Sequence, residues 1–189
     1  PVIKVPLGYG MTFYNKKYNW NFYSKKQKNL FNRKIYFPRG KVIGGSGSIN
    51  AMVYTRGLKT DYEDWSHQEN DDWAWRHILS SYETIEKKIS IKDNDKFDNK
   101  IFVNDVSKNH HPIIENFFKA SEEIGIGINK NLSIEPINQV GHYNINTRNG
   151  YRFTSVDGFL KPILNTYNLK IMKNSIVTKI IFNKKKYIN

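Results

Sequence analysis

The run Gly44-Gly45-Ser46-Gly47-Ser48 constrains this chain more than any other feature. It lies between Lys41-Val42-Ile43 and the apolar segment Ile49-Asn50-Ala51-Met52-Val53-Tyr54. Glycines at 44, 45 and 47 remove Cβ atoms, so a ring or another main chain can approach the backbone closely. Ser46 and Ser48 suit a helix N-cap, and the segment after them has helical length. The pattern predicts a strand end, a loop of small residues and a helix start. Amides presented at such a start attract a phosphate or another electron-rich group. Two readings stand on the residues alone: a ligand cradle, or a plain glycine turn between buried elements, because isolated glycine motifs recur widely.

Spacing excludes several other motifs. A Walker-type phosphate loop needs Gly-Lys-Ser/Thr at its end, whereas Gly45 is followed by Ser46-Gly47. A nucleophile elbow needs a glycine two places either side of its serine, and Ser48 occupies the second of those places for Ser46. Gly8-Tyr9-Gly10 fails the dinucleotide fingerprint, with Phe13 at the third glycine position and no strand before it.

The stretch Pro38-Arg39-Gly40-Lys41-Val42-Ile43-Gly44-Gly45-Ser46-Gly47-Ser48-Ile49-Asn50-Ala51-Met52-Val53-Tyr54-Thr55-Arg56-Gly57 resembles the first signature of the glucose-methanol-choline (GMC) oxidoreductases. The likeness continues through Asp61-Tyr62, Trp65, Trp73, Trp75 and Tyr82-Glu83, and is nearest in style to choline dehydrogenase-like members. Asn19-Trp20 matches an Asn-Trp element that precedes the family's glycine loop, and Gly125-Ile126 matches a Gly-Ile helix exit. Gly150-Tyr151-Arg152-Phe153-Thr154-Ser155 with Gly158-Phe159-Leu160-Lys161-Pro162 resembles the family's Gly-x-Arg-x-Ser…Tyr-Leu-x-Pro element, with Thr154 where serine is usual. Two places depart from the pattern. Asp98-Asn99-Lys100-Ile101 replaces a glycine- and proline-containing stretch, and Asn129-Lys130-Asn131-Leu132 replaces an acidic one.

The resemblance implies a mixed α/β (α+β) fold, part of a GMC-type FAD/NAD(P)-binding flavoprotein fold. The N-terminal dinucleotide fingerprint, the ribose-binding acid, the second signature and the C-terminal histidine pair (or His-Asn) are absent from residues 1–189. Residues 1–189 are thus expected to form an incomplete FAD-binding domain, with 88–150 reaching toward the substrate side. FAD is the implied cofactor. Val42, Gly44, Gly45, Asn50, Ala51, Met52 and Val53 are the implied flavin or diphosphate contacts, and Val177 meets the adenine through its main chain. Some members carry a histidine at the position of Ile49 and bond it covalently to the flavin; isoleucine cannot, so noncovalent binding is expected. The implied reaction moves a hydride from an alcohol carbon to flavin N5, on a small-molecule alcohol substrate. No catalytic base and no metal ligand is assigned here, and the isolated chain is expected neither to turn over alcohols nor to hold FAD tightly.

Composition bears on what remains. The 189 residues open on Pro1 and close on Tyr187-Ile188-Asn189, which reads as an internal piece of a longer protein. The formal charge of +13 raises the question of an anionic partner, but the lysines are spread among asparagine and isoleucine, and the densest run is Lys184-Lys185-Lys186. A general Lys/Asn/Ile bias accounts for this better, and no nucleic-acid partner is expected. A basic nucleic-acid module built on the aromatic N-terminal stretch is the alternative, and an inactive gene remnant a third reading. No run of about 18 apolar residues exists to span a membrane. A cytoplasmic or peripheral inner-membrane location is expected; the absence of cysteine fits a reducing compartment.

Local patterning predicts the elements. Residues 1–37 read as extended and aromatic. Thr60 is placed to cap one short helix and Asp72 a second, running Trp73 to Lys87 with Trp75, Ile78, Leu79, Tyr82 and Ile85 near a 3.6-residue period. The acids Asp61, Glu63, Asp64, Glu69, Asp71 and Asp72 read as a solvated face. Ile101-Phe102-Val103 is an apolar run within polar 88–111, and His110-His111 reads as a solvent-exposed pair. Pro112 begins an amphipathic helix that Gly125 ends. Gly141 to Ile145 reads as a strand with a structural His142, and Asn149-Gly150 as a hairpin turn. Asn168-Leu169-Lys170-Ile171 and Ile176 to Phe182 read as two strands.

Overall fold

A computed structural model describes residues 2–66, 71–88, 100–129, 132, 138–166 and 168–181. Glu69, Asp98-Asn99, Lys130-Asn131, Phe182 and Lys184-Lys185-Lys186, singled out above, lie outside the described residues. In chain order the elements are α1 (Tyr9–Thr12), β1 (Phe22–Tyr23), β2 (Tyr36–Phe37), β3 (Val53–Tyr54), α2 (Lys59–Ser66), α3 (Trp75–Ile85) and β4 (Glu86–Lys88). There follow β5 (Ile101–Asp105), α4 (Ile113–Glu123), β6 (Gly127–Ile128), β7 (Gln139–Val140), β8 (Asn144–Ile145), β9 (Thr147–Arg148) and β10 (Tyr151–Arg152).

The largest sheet has the order β3-β8-β5-β4, with β5 and β4 parallel and the other pairs antiparallel. Ile145 faces Val53 on one side and Asn104 on the other, which fixes the register. Phe102 and Val103 on β5 are both buried, so this strand is covered on both faces. Phe153 meets the Phe102 ring edge-on at 4.7 Å, and the Arg148 guanidinium lies 4.3 Å from the centre of that ring. Helix and strand are mixed, as the fold class expects.

Aromatic packing overrides the predicted caps at α2 and α3. Tyr62 contacts Trp65, Trp73, Trp75 and Tyr82, and its hydroxyl lies 2.9 Å from that of Tyr82. The Tyr82 hydroxyl accepts from Gly57 N at 3.3 Å, and a Cβ on Gly57 would lie 2.8 Å from the Tyr62 ring. Helix α2 therefore starts at Lys59, and Asp71–Trp73 forms its own single turn. Ala74, extended at ψ 139°, separates that turn from α3, which has no side-chain cap.

α4 and the hairpin follow their sequence signals. Pro112 precedes α4, and Gly125 at φ +81° ends it while Ile126 N donates to Ser121 O at 2.8 Å. Asn149 and Gly150 are both left-handed (φ 51° and 76°) and join β9 to β10 antiparallel, as a primed two-residue turn requires.

Three expectations fail. Residues 2–12 coil into short helical turns rather than extending. Of Gly141 to Ile145 only Asn144–Ile145 pairs, because that is where β3 and β5 offer ladder partners. Within 168–181 there is no strand. A strand exists by pairing, and no described strand pairs with either run.

Candidate flavin-facing turn

The glycine turn is approached along a chain pinned by one buried amide. Asn19 is 1% exposed and uses its whole hydrogen-bonding capacity. Nδ2 donates to Phe13 O (2.5 Å) and Tyr36 Oη (2.9 Å), while Oδ1 accepts from Asn21 N (3.0 Å) and Arg39 N (2.9 Å). Trp20 N to Arg39 O and Lys41 N to Tyr18 O extend the pairing. The Lys41 ammonium sits 4.8 Å from the Trp20 ring centre, and Trp20 stacks on Phe22.

Gly44 (φ +89°) and Gly45 (φ +55°) turn the chain left-handed, and Gly45–Ser48 forms one 3-10 turn. The serines do not cap a helix. Ser48 Oγ donates back to Ile43 O (3.0 Å), and Ser46 Oγ accepts from Gly40 N (3.2 Å). The amides of Gly45, Ile49 and Asn50 are spent on Val42 O and Ser46 O.

No helix follows, which corrects the sequence expectation. Asn50 Oδ1 accepts from Met52 N (3.0 Å), closing an Asx turn, and Met52 adopts φ +64°. Met52 O then accepts from Asn146 N at 2.8 Å and the chain enters β3. A left-handed methionine is strained, and such strain persists only where surrounding bonds impose it.

The segment has two faces. Ser48, Ile49 and Met52 point inward and are buried, whereas Ser46, Gly47, Asn50, Ala51 and Val53 are exposed. The glycines divide in the same way. A Cβ on Gly40 would lie 2.0 Å from Gly45 O, and one on Gly44 would meet Ser48 Oγ at 2.5 Å and Val156 Cγ2 at 2.7 Å. Those two serve packing within the chain. Gly45 and Gly47 border open space, with nothing within 4 Å of their missing side chains.

Arg152, on β10, holds the turn from beneath. It is 2% exposed; Nε donates to Ile3 O (2.9 Å), and Nη1 donates to Gly47 O (3.2 Å) and Asn50 Oδ1 (2.8 Å). Nη2 is buried without a partner among the described residues, and burial pulls the guanidinium pKa below its ordinary value. Five residues on, Asp157 accepts from Lys4, Lys161, Thr154 N and Thr154 Oγ1. The sequence placed Arg152 in a recognised element without a role. Its signal was a lone cation between two aromatics in a strand.

Contiguity brings Val42, Gly44, Gly45, Asn50, Ala51, Met52 and Val53 together. Val177 is 81% exposed, and no described hydrogen bond joins 168–181 to the turn. Of the histidines, His110 alone departs from expectation. His110 is half-buried, its Nε2 2.8 Å from Glu115, and His142 packs between His110 and Phe118; His111 is exposed. No group of three or more His, Asp or Glu among the described residues is placed to hold a metal. Among the described residues no helix is long and apolar enough to cross a membrane.

Residues 23–188 match the family model described as GMC oxidoreductase. The chain belongs to the GMC oxidoreductase family. It is 32% identical to the alcohol dehydrogenase [acceptor] of Pseudomonas putida and 28% identical to the oxygen-dependent choline dehydrogenase of Brucella anthropi, in each case over all of this chain and 34% of the relative. This GMC chain thus spans about a third of the length of the curated relatives it matches. In fold it is similar to an FAD-dependent oxidoreductase from Chaetomium thermophilum (TM-score 0.77, 24% identity), covering 97% of this chain and 33% of that one.

Proposed function

We propose that this chain supplies one wall of the FAD site of an oxidoreductase acting on the CH–OH group of small-molecule alcohol donors, of the alcohol or choline dehydrogenase kind. The observation that carries the reading is the exposed floor of small residues at Ser46, Gly47, Asn50 and Ala51, flanked by half-buried Gly45, with open space beside both glycines. A planar ring can rest on such a floor at van der Waals distance from main chain. The residues therefore fit the group. When bound, the flavin supplies hydride acceptance; the protein supplies position and electrostatics. Val42, Gly45, Asn50, Ala51 and Val53 would line it, with Gly44 and the buried Met52 shaping the turn behind them and Val177 joining by resemblance through its main chain. Ile49 points inward and is apolar, which supports noncovalent binding. No residue of this chain is assigned as catalytic base. Residues 88–150 would extend toward the substrate side, since β5 and β8 share the sheet of Val53–Tyr54.

The matches give no support to a nucleic-acid module or a gene remnant. The N-terminal aromatics pair with one another, Tyr14 on Tyr36 and Trp20 on Phe22.

Gly45→Ala tests the floor in a protein carrying this chain at the relatives' full length. A left-handed alanine costs about 1–2 kcal/mol in stability, and its methyl group projects into the open side. The expected result is an FAD Kd raised about tenfold or more. An unchanged Kd contradicts the reading.

A further inference from the structure

We propose that Arg152 is a positioning residue that fixes which end of the Asn50 side-chain amide faces the flavin; this rests on the FAD reading above. Two donors converge on one end of that amide, Arg152 Nη1 at 2.8 Å and Met52 N at 3.0 Å. Both give protons and neither can accept one, so the oxygen must lie on their side. Turning the amide over would set its NH₂ against two N–H groups with no acceptor between them. The NH₂ is therefore left on the exposed side of Asn50, where it has no partner among the described residues. It is a donor pair aimed at an electron-rich ligand atom, a ring carbonyl or phosphate oxygen.

Arginine suits this post because of its shape. The same guanidinium spans Ile3 O, Gly47 O and Asn50 Oδ1. One fork thus sets the turn, the amide and the N-terminal segment in a single geometry. Lysine keeps the charge but has no rigid fork. Nη2 is buried and has no partner among the described residues, so part of the guanidinium's hydrogen-bonding capacity goes unused there.

The test uses a protein carrying this chain at the relatives' full length, stripped of flavin and titrated with FAD by fluorescence quenching, with the Tm of the flavin-free form measured alongside. Asn50→Asp leaves the Arg152 contact in place but removes the NH₂. It is expected to raise the FAD Kd about tenfold without lowering the flavin-free Tm, since the carboxylate still accepts from Arg152. Arg152→Lys is expected to raise the Kd by a similar factor and to change the visible circular dichroism of bound flavin. Arg152→Lys/Asn50→Ala is expected to lose less than the two single losses added together, because Arg152 acts in large part through Asn50. Additive losses in that double variant overturn the inference, as does an Asn50→Asp variant that binds FAD like the wild type. Both results leave the FAD reading standing if the wild type binds FAD. A wild-type protein that binds no FAD overturns the reading and the inference together. Should Arg152→Lys fail to fold, Arg152→Gln takes its place in the same comparison with Asn50→Ala.

Discussion

Glu86→Ala is expected to destabilise the fold by about 2–4 kcal/mol, the cost of leaving a largely but not fully buried cation without its counter-charge. The Glu86 side chain is 5% exposed and that of Arg56 17%. Arg56 Nε donates to Oε1 at 2.9 Å and Nη2 to Oε2 at 2.5 Å, a bidentate pair, and the Tyr54 hydroxyl donates to Oε1. The hydrogen bond to Glu86 raises the Arg56 pKa. Burial first, then the bond to Glu86, pushes the Tyr54 phenol well above its ordinary range. Tyr54 and Glu86 sit on β3 and β4, the two outer strands of the sheet, so alanine both orphans the cation and releases a clamp across the sheet. Urea unfolding measures the loss. A change under about 1 kcal/mol, the scale of an exposed pair, contradicts this account.

The second large effect is on acid stability, through Asp157. The carboxylate is buried, and burial alone would raise its pKa. Hydrogen bonds from Lys161 (2.6 Å), Lys4 (2.5 Å) and Thr154 (N and Oγ1, both 2.9 Å) outweigh burial and hold the pKa down to about 2. The unfolded carboxyl titrates near about 3.9. The folded value is the lower one, so this stability is fully present above pH ~3.9 and is lost as pH falls toward ~2. The shift corresponds to about 2–3 kcal/mol, which screening around the half-exposed lysines trims to about 1–2 kcal/mol. Asp157→Asn is expected to cost about 2 kcal/mol at pH 7, since an amide oxygen replaces a carboxylate with two ammonium partners. It should also flatten the decline between about pH 4 and pH 2.5, which falls within the window between the two pKa values. Urea midpoints at the three pH values decide. A variant whose midpoint falls as steeply with acid as the wild type's contradicts the assignment.

What the sequence conveyed was local. Asn149-Gly150 needs left-handed backbone at both positions, and these two residue types accept it most readily. Pro112 and Gly125 bracket α4 for equally local reasons. The apolar run at 101–103 became the buried strand of the sheet. The family and the identity of its glycine stretch were legible because its residues are contiguous. What stayed hidden depends on distant partners. Lys4 meets Asp157 across 153 positions, and Arg152 meets Gly47 across 105. The apolar pattern after Ser48 suggested a helix because periodicity takes no account of a side chain that competes for backbone. Asn50 captures the Met52 amide, and β8 captures the strand that follows. The run around Val177 has strand-forming residues, but composition does not supply a partner.

The proposed flavin would lie against the exposed main chain at Ser46, Gly47, Asn50, Ala51 and Val53. Amide hydrogen exchange, compared between flavin-bound and flavin-stripped forms of a protein carrying this chain at its relatives' full length, tests this placement most directly. Slowed exchange on FAD binding is expected in peptides covering Ser46, Gly47, Ala51 and Val53, with α4 unchanged. Equal exchange across 45–53 in the two forms, with protection elsewhere, would contradict it.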